Sequence, residues 1–259
     1  MIFKDQLNRE VMLEGFPKRI ISLVPSTTET LFDLGLENEV IGITKFCKYP
    51  KDKLKGCLKV GGTKTFHFDR VEKLQPDLII ANKEENRKED IEALEKQFPV
   101  WVSDICNIVD SQEMIRSIGG ITNRQERATK IITDIDSGFE RITQKLQPKK
   151  VLYFIWRNPY MVAGKGTFID SILTKIGFEN IAPESRYPKL DQETIEQLNK
   201  KVDLILLSSE PFPFKEKYLA EFQEIFPGKE IRLVDGEMFC WPGSRLKYAS
   251  KYLLETFFT

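Results

Sequence analysis

A single histidine, His67, stands in 259 residues, which excludes any site built from two or three imidazoles. The four cysteines, Cys47, Cys57, Cys106 and Cys240, form no Cys-x-x-Cys pair, so a zinc knuckle is not expected. A Cys47–Cys57 disulfide stays open on sequence grounds, but free thiols are the expectation. Neither sign of charge is in excess: Lys+Arg and Asp+Glu number 39 each, so the basic footprint of a nucleic-acid binder is missing. No apolar run approaches the roughly 20 residues of a membrane-spanning helix. The opening MIFKDQLNREVMLEGF is charged early and lacks the apolar centre of a secretory signal. A chain that starts natively there is expected in the cytoplasm; one whose signal was removed works in the periplasm or at an extracytoplasmic membrane anchor. Gly-x-Ser-x-Gly, a P-loop and a Gly-x-Gly-x-x-Gly turn after a strand are all lacking. Carboxylates are plentiful, but no pair is marked for acid–base work. No catalytic residue and no metal-ligating set is therefore assigned.

What is present is α/β grammar. In RIISLVPSTTETLFDLGLENEVIGIT, residues 19–44, a short apolar run ends at Pro25. Such a run suits a strand buried on both faces of a parallel sheet, and proline cannot extend the ladder. Ser26 with Glu29 reads as a capping box, Leu31, Phe32 and Leu34 as the buried helix face, and Gly35 as the stop. The same grammar returns at 150–181, with a strand over Val151–Ile155, a helix carrying Ile169, Ile172, Leu173 and Ile176, and the ending Gly177-Phe178-Glu179-Asn180 against Gly35-Leu36-Glu37-Asn38. VEKLQPDLIIANKE (71–84) likewise matches IEQLNKKVDLILLSSE (195–210), and FPVWVSD (98–104) matches FPGKEIRLVD (226–235). Three matches in one order predict two α/β lobes of similar plan, each with a mostly parallel central sheet.

Between the repeats, Asn123 with Glu126 predicts a helix start, and Ile132, Ile135, Phe139, Ile142 and Leu146 its apolar stripe, with Pro148 as the limit. The expected organisation is an N-terminal lobe over 1–122, a linker helix over 123–148 and a C-terminal lobe over 149–259. That helix would run about 35 Å at 1.5 Å per residue and restrict hinge motion between lobes.

Loops at the carboxyl ends of parallel strands line ligand crevices, so the ligand is expected in a cleft between the lobes. The candidate ligand-binding residues are Pro25 and Ser26, Phe46 and Tyr49, Phe66 and His67, and Asn82 in the first lobe. In the second they are Trp156, Arg157 and Tyr160, with Met238, Phe239, Trp241 and Arg245 from DGEMFCWPGSR. The aromatics suit a flat, partly apolar ligand, and the arginines a carboxylate or phosphate. The charged tracts at 83–97 and 215–224 read as solvated helix faces.

FKDQLNREVMLEGFPKRIISLVPSTTE, LQPDLIIAN and NPYMVAGKGTFIDSILTKIGFENI carry a resemblance. The chain resembles the ABC-importer substrate-binding proteins whose two lobes are joined by one long helix and whose ligands are vitamin B12, ferric siderophores and haem, and within them it is nearest to the vitamin B12 binders. The resemblance implies a monomeric binding protein with no intrinsic cofactor. It would carry a small-molecule metal chelate, cobalamin or another corrinoid first and ferric siderophore or haem next, to an ABC permease dimer. It also implies that Asp69 and Glu193, which face each other in the repeat, dock on the permease. Asn82 stands where the vitamin B12 binders carry a tryptophan. The competing class is a cytoplasmic chelatase-like enzyme, with His67 or Glu210 as its base; a third is a non-transport binding module on the same fold.

Overall fold

The computed structural model describes residues 1–143 and 148–258. Packing divides it into two units. Unit 1 comprises Met1–Ile105, Val109–Ile135 and Pro242–Arg245; unit 2 comprises Cys106–Ile108, Asp136–Trp241 and the chain from Leu246 onward. Among the described residues, no helix is long and apolar enough to cross a membrane.

Unit 1 opens with an antiparallel hairpin, β1 (Ile2–Lys4) and β2 (Glu10–Met12). There follow β3 (Ile20–Ser22), α1 (Pro25–Asp33), β4 (Val40–Thr44), β5 (Leu58–Gly61), α2 (Phe68–Leu74), β6 (Leu78–Asn82), α3 (Lys88–Glu95), β7 (Val100–Ser103) and α4 (Ile108–Ile121). The main sheet runs β5-β4-β3-β6-β7 and all its pairings are parallel. Every residue of β3, β6 and β7 is buried, as a parallel sheet covered on both faces requires.

After α5 (Gln125–Thr143), unit 2 contains β8 (Lys150–Trp156), β9 (Met161–Val162), α6 (Phe168–Lys175), β10 (Glu179–Asn180), α7 (Gln192–Asn199), β11 (Leu204–Ser208), α8 (Leu219–Ile225), β12 (Glu230–Val234), α9 (Glu237–Cys240) and α10 (Leu246–Phe257). Its parallel sheet runs β10-β8-β11-β12, with β9 antiparallel on β8.

The internal repeat is real at the level of topology. The order β4-β3-β6-β7 in unit 1 is the order β10-β8-β11-β12 in unit 2. The matching helix ends share their atomic detail. Gly35 and Gly177 adopt φ of +76° and +79°, and the next N–H closes back on the last turn, Leu36 to Leu31 O at 3.1 Å and Phe178 to Leu173 O at 2.9 Å. The matching aspartates also have one job. Asp77 accepts the backbone N–H groups of Lys18 and Arg19, and Asp203 that of Lys150, so each carboxylate fixes the start of the neighbouring strand.

Several local expectations change. Ser26 is not the cap of α1: extended Val24 holds that place, Pro25 is the first helical residue, and Ser26 is buried inside the helix. A proline at the first helical position is pre-set for the helix and loses no hydrogen bond. Glu29 is then free of capping duty. Asn123 adopts φ of +56° and ends α4, with the Arg124 N–H on Gly119 O at 2.7 Å; α5 begins at Gln125. The buried stripe of α5 is Ala128, Ile131, Ile135, Phe139 and Ile142, with Ile132 only half-buried; Leu146 lies outside the described residues.

The division falls within α5, between Ile135 and Asp136, and a short segment, Pro242–Arg245, returns to unit 1. Gly119 of α4 faces Ala128 of α5, and Gly138 of α5 faces Ser250 of α10, each closely enough that a Cβ on the glycine would clash. The part of the helix up to Ile135 thus belongs to unit 1 and the part from Asp136 to unit 2.

Candidate functional site

The carboxyl ends of the strands carry the loops that sequence patterning singled out. In unit 1 those loops are held by a residue that sequence reasoning missed. The Asn86 side chain accepts the Asn82 N–H at 2.8 Å and donates to Leu23 O at 3.3 Å and Thr63 O at 2.8 Å. One buried amide thereby fastens the chain after β3, after β5 and at the end of β6. Its signal was only the Asn82-to-Asn86 spacing, which is silent on the distant carbonyls. Asn82 is likewise structural: its Oδ1 accepts the N–H groups of Glu84 and Glu85 at 2.9 and 3.1 Å, and its Nδ2 donates to Ser103 at 3.0 Å. Its polar atoms are thus engaged in shaping the loop.

Other candidates in unit 1 divide sharply. Phe66 is buried in the core with Val60, Val71 and Ile79 and does not reach the surface. Ser26 is buried and Pro25 half-buried. His67 is exposed and precedes α2; its backbone N–H bonds Val60 O at 2.7 Å, and its side chain makes no capping bond. Phe46, after β4, is 50% exposed. Arg245 is the clearest correction. It is buried, and its Nε and Nη2 each donate to a Glu29 carboxylate oxygen at 2.8 Å while Tyr49 covers the guanidinium at 3.9 Å. Its charge is answered by Glu29 of α1, so it is no anion receptor. The neighbouring Gly243 and Ser244 N–H groups bond Ser111 and Thr30 at 2.7 and 3.0 Å, fixing Pro242–Arg245 to unit 1.

In unit 2 the rim is aromatic. Trp156, at the end of β8, is 40% exposed and packs edge-on against Phe212 at 5.8 Å. Phe212 continues to Phe214 at 4.7 Å and Tyr218 at 5.4 Å, and Phe214 to buried Phe222 at 5.5 Å. The array runs from the exposed indole into the core, which holds the indole rigidly. Arg157 is spent within it. Its Nε lies 2.9 and 3.0 Å from the two Glu221 oxygens, and its guanidinium covers Tyr218 at 5.4 Å. The 215–224 tract is therefore more than a solvated face. The Tyr160 hydroxyl also donates to Glu221, while its ring packs on Phe154 and Phe222. Burial, reinforced by the Glu221 bond, pushes the Tyr160 phenol up to about 12, and the Arg157 hydrogen bond holds the Glu221 carboxyl below its ordinary value.

Trp241 is half-buried, and its indole N–H donates to Glu210 at 3.0 Å, beside the Cys240 thiol at 2.9 Å from the same oxygen. Glu210 is occupied as a hydrogen-bond acceptor. Phe239 is fully buried against Tyr153 at 5.0 Å and is core, not site. Met238 is half-buried on α9. All four cysteines are free; Cys47 packs on the Thr28 and Thr44 hydroxyls at 3.2 and 3.3 Å. Among the described residues, no cluster of three or more His, Cys, Asp or Glu could hold a metal ion. Among the sequence candidates, the large aromatic rings that stay exposed are Phe46 in unit 1, and Trp156 in unit 2.

Comparison with known proteins agrees with this plan. The family model described as periplasmic binding protein matches residues 20–225. The chain is 28% identical over 209 residues to the uncharacterized ABC transporter substrate-binding lipoprotein YvrC of Bacillus subtilis (strain 168), a match covering 75% of this chain and 65% of that protein, just under two thirds of its length. It is 26% identical over 217 residues to the vitamin B12-binding protein of Vibrio campbellii, covering 82% and 78%. Among solved structures, a possible iron-binding periplasmic protein of Staphylococcus epidermidis superposes with TM-score 0.80 at 23% identity, covering 93% of this chain and 98% of that one. A periplasmic haem-binding protein of Pseudomonas aeruginosa gives 0.78 at 20%, covering 93% of each; at such identities the fold alone is shared. Two parallel sheets of one strand order and a family match over most of the chain lead to one conclusion: the chain belongs to the periplasmic binding protein family, a family of solute-binding proteins and not of enzymes.

Proposed function

We propose that this chain is the substrate-binding protein of an ABC importer and that its ligand is a bulky metal chelate: a corrinoid, a ferric siderophore or haem. A relative is named as vitamin B12-binding, and structural neighbours as a possible iron-binding protein and a haem-binding protein. The observation that carries the reading is an exposed aromatic ring at the carboxyl end of each of two like sheets, Trp156 on its Phe212 support in unit 2 and, by itself, Phe46 in unit 1. A rigid ring offered to solvent stabilises a flat ligand face by burial at little cost in side-chain entropy. Titration of intrinsic tryptophan fluorescence with cyanocobalamin, hemin and a ferric catecholate tests it. At least one should bind, and Trp156→Ala should weaken that binding about tenfold; no binding by all three rejects the reading.

Delivery to a permease belongs to the same proposal. Asp69 and Glu193 are both exposed, and each is the second residue of its helix, α2 and α7. Equivalent acids on two like units fit a twofold permease with basic sockets. The workplace is then outside the cytoplasm, as the lipoprotein and periplasmic names of the relatives suggest.

A further inference from the structure

The chain is neutral as a whole, yet its lysines are unevenly placed. Residues 45–64, KFCKYPKDKLKGCLKVGGTK, hold seven lysines against one acid, Asp52. This stretch leaves the carboxyl end of β4, forms β5 and leaves its carboxyl end in turn, so the loops after β4 and β5 lie side by side. The Lys45 N–H bonds Gly61 O at 2.7 Å. A Cβ at Gly62 would lie 3.1 Å from the Phe46 ring and 3.7 Å from the Lys45 stem, which shows how closely the two loops touch. Asn86 fixes the second loop through Thr63 O. The Lys45 ammonium stands 5.1 Å from the Phe46 ring centre, and Lys64 is exposed beside the same turn. Among the described residues, neither Lys45 nor Lys64 has an ion pair, whereas Lys53, further along, is taken by Glu37 at 2.5 Å.

Acids do stand near it: Glu84 and Glu85 lie on the turn that Asn86 ties to Thr63 O. Lys83, after β6, pairs with Asp104. The two arginines that the sequence offered for anions, Arg157 and Arg245, are answered by Glu221 and Glu29. The cation left uncommitted beside an exposed aromatic ring is lysine.

We propose that the ligand of this site is anionic, with Lys45 and Lys64 attracting its charge and Phe46 covering an apolar or aromatic edge. The proposal rests on the binding-protein reading above and narrows it. A ferric tris-catecholate with three negative charges, or haem with two carboxylates, fits; cyanocobalamin, whose phosphodiester, cyanide and corrin anion together balance its cobalt(III), has no net charge and is the poorer fit. That reverses the order of ligands implied by resemblance alone. Exposed charges steer and hold a multivalent anion, and they do so less as salt rises.

The test titrates the intact protein with iron(III) tris-catecholate, hemin and cyanocobalamin at about 50 and 500 mM salt. An anionic chelate should bind more tightly than cyanocobalamin and lose affinity with salt. The Lys45→Gln/Lys64→Gln protein should bind that chelate about tenfold more weakly, with its cyanocobalamin affinity and thermal midpoint unchanged. Lys200→Gln/Lys201→Gln, at the far end of α7, should change neither affinity. Preference for cyanocobalamin, or binding of an anionic chelate that ignores both salt and the lysines, overturns this proposal and leaves the binding-protein reading standing. Failure of all three chelates ends both. Loss of binding to phosphatidylserine vesicles in the lysine variant, with chelate affinity intact, also overturns it and assigns the patch to a lipid surface.

Discussion

Single residues at the rims owe their roles to their partners. Arg245 and Glu29 are both nearly inaccessible, with side-chain exposures of 6% and 8%. Removing one partner strands a buried charge, a change that typically costs about 3–5 kcal/mol. Arg245→Leu should therefore lower the urea midpoint strongly, and Arg245→Leu/Glu29→Leu should recover much of the loss; equal midpoints for single and double variants would show that the pair is not coupled. Tyr160 makes a pH prediction. Its folded pKa, about 12, lies above its ordinary value of 10, so the protonated phenol is favoured in the fold. The stability this contributes is complete below pH 10 and is lost as pH rises toward 12. The advantage of the native protein over Tyr160→Phe in denaturation should shrink across that window. Glu221 has the opposite sign: its lowered pKa contributes stability above its ordinary value of 4.5 that is lost in acid.

Elements in the two units end and begin by the same devices. Gly35 and Gly177 occupy equivalent places after α1 and α6, both with φ near +80°, where a Cβ meets the backbone. Alanine at either position should lower stability by about 1 kcal/mol, read as similar falls in thermal midpoint; a fall at one position alone would argue against equivalent caps. Asn86 acts on three loops at once. Asn86→Ala leaves the Leu23 and Thr63 carbonyls without this donor, a loss of about 1–3 kcal/mol. Hydrogen exchange should rise at residues 62–65 and 82–86, with the strands of unit 2 unaffected.

The whole molecule is joined by more than a helix. The backbone passes between units on each side of Cys106–Ile108, within α5, and again on each side of Pro242–Arg245. That segment is fixed within unit 1 by Ser111, Thr30 and Glu29. At this scale the docking proposal is also tested. Asp69→Arg and Glu193→Arg should each weaken capture by the cognate permease, and together abolish it, with chelate affinity unchanged. Capture that survives the double charge reversal would place docking elsewhere.

Local chemistry made much of this protein readable from its sequence. Buried strands, helix stops at Gly35 and Gly177, strand-starting Asp77 and Asp203, and the repeated order of these signals are properties of neighbouring residues, and they suffice to specify two like α/β sheets. The fate of the rim side chains was not so written. Arg157 meets its carboxylate 64 positions away and Arg245 meets its own 216 positions away; Phe66 and Phe239 are drawn into cores that assemble only when distant elements pack. Backbone geometry is decided within a turn or a strand, whereas the cost of leaving a charge or a ring in water depends on what the fold brings beside it. Only the tertiary structure could settle which candidates were consumed in building the scaffold and which, like Trp156 and Phe46, still face solvent.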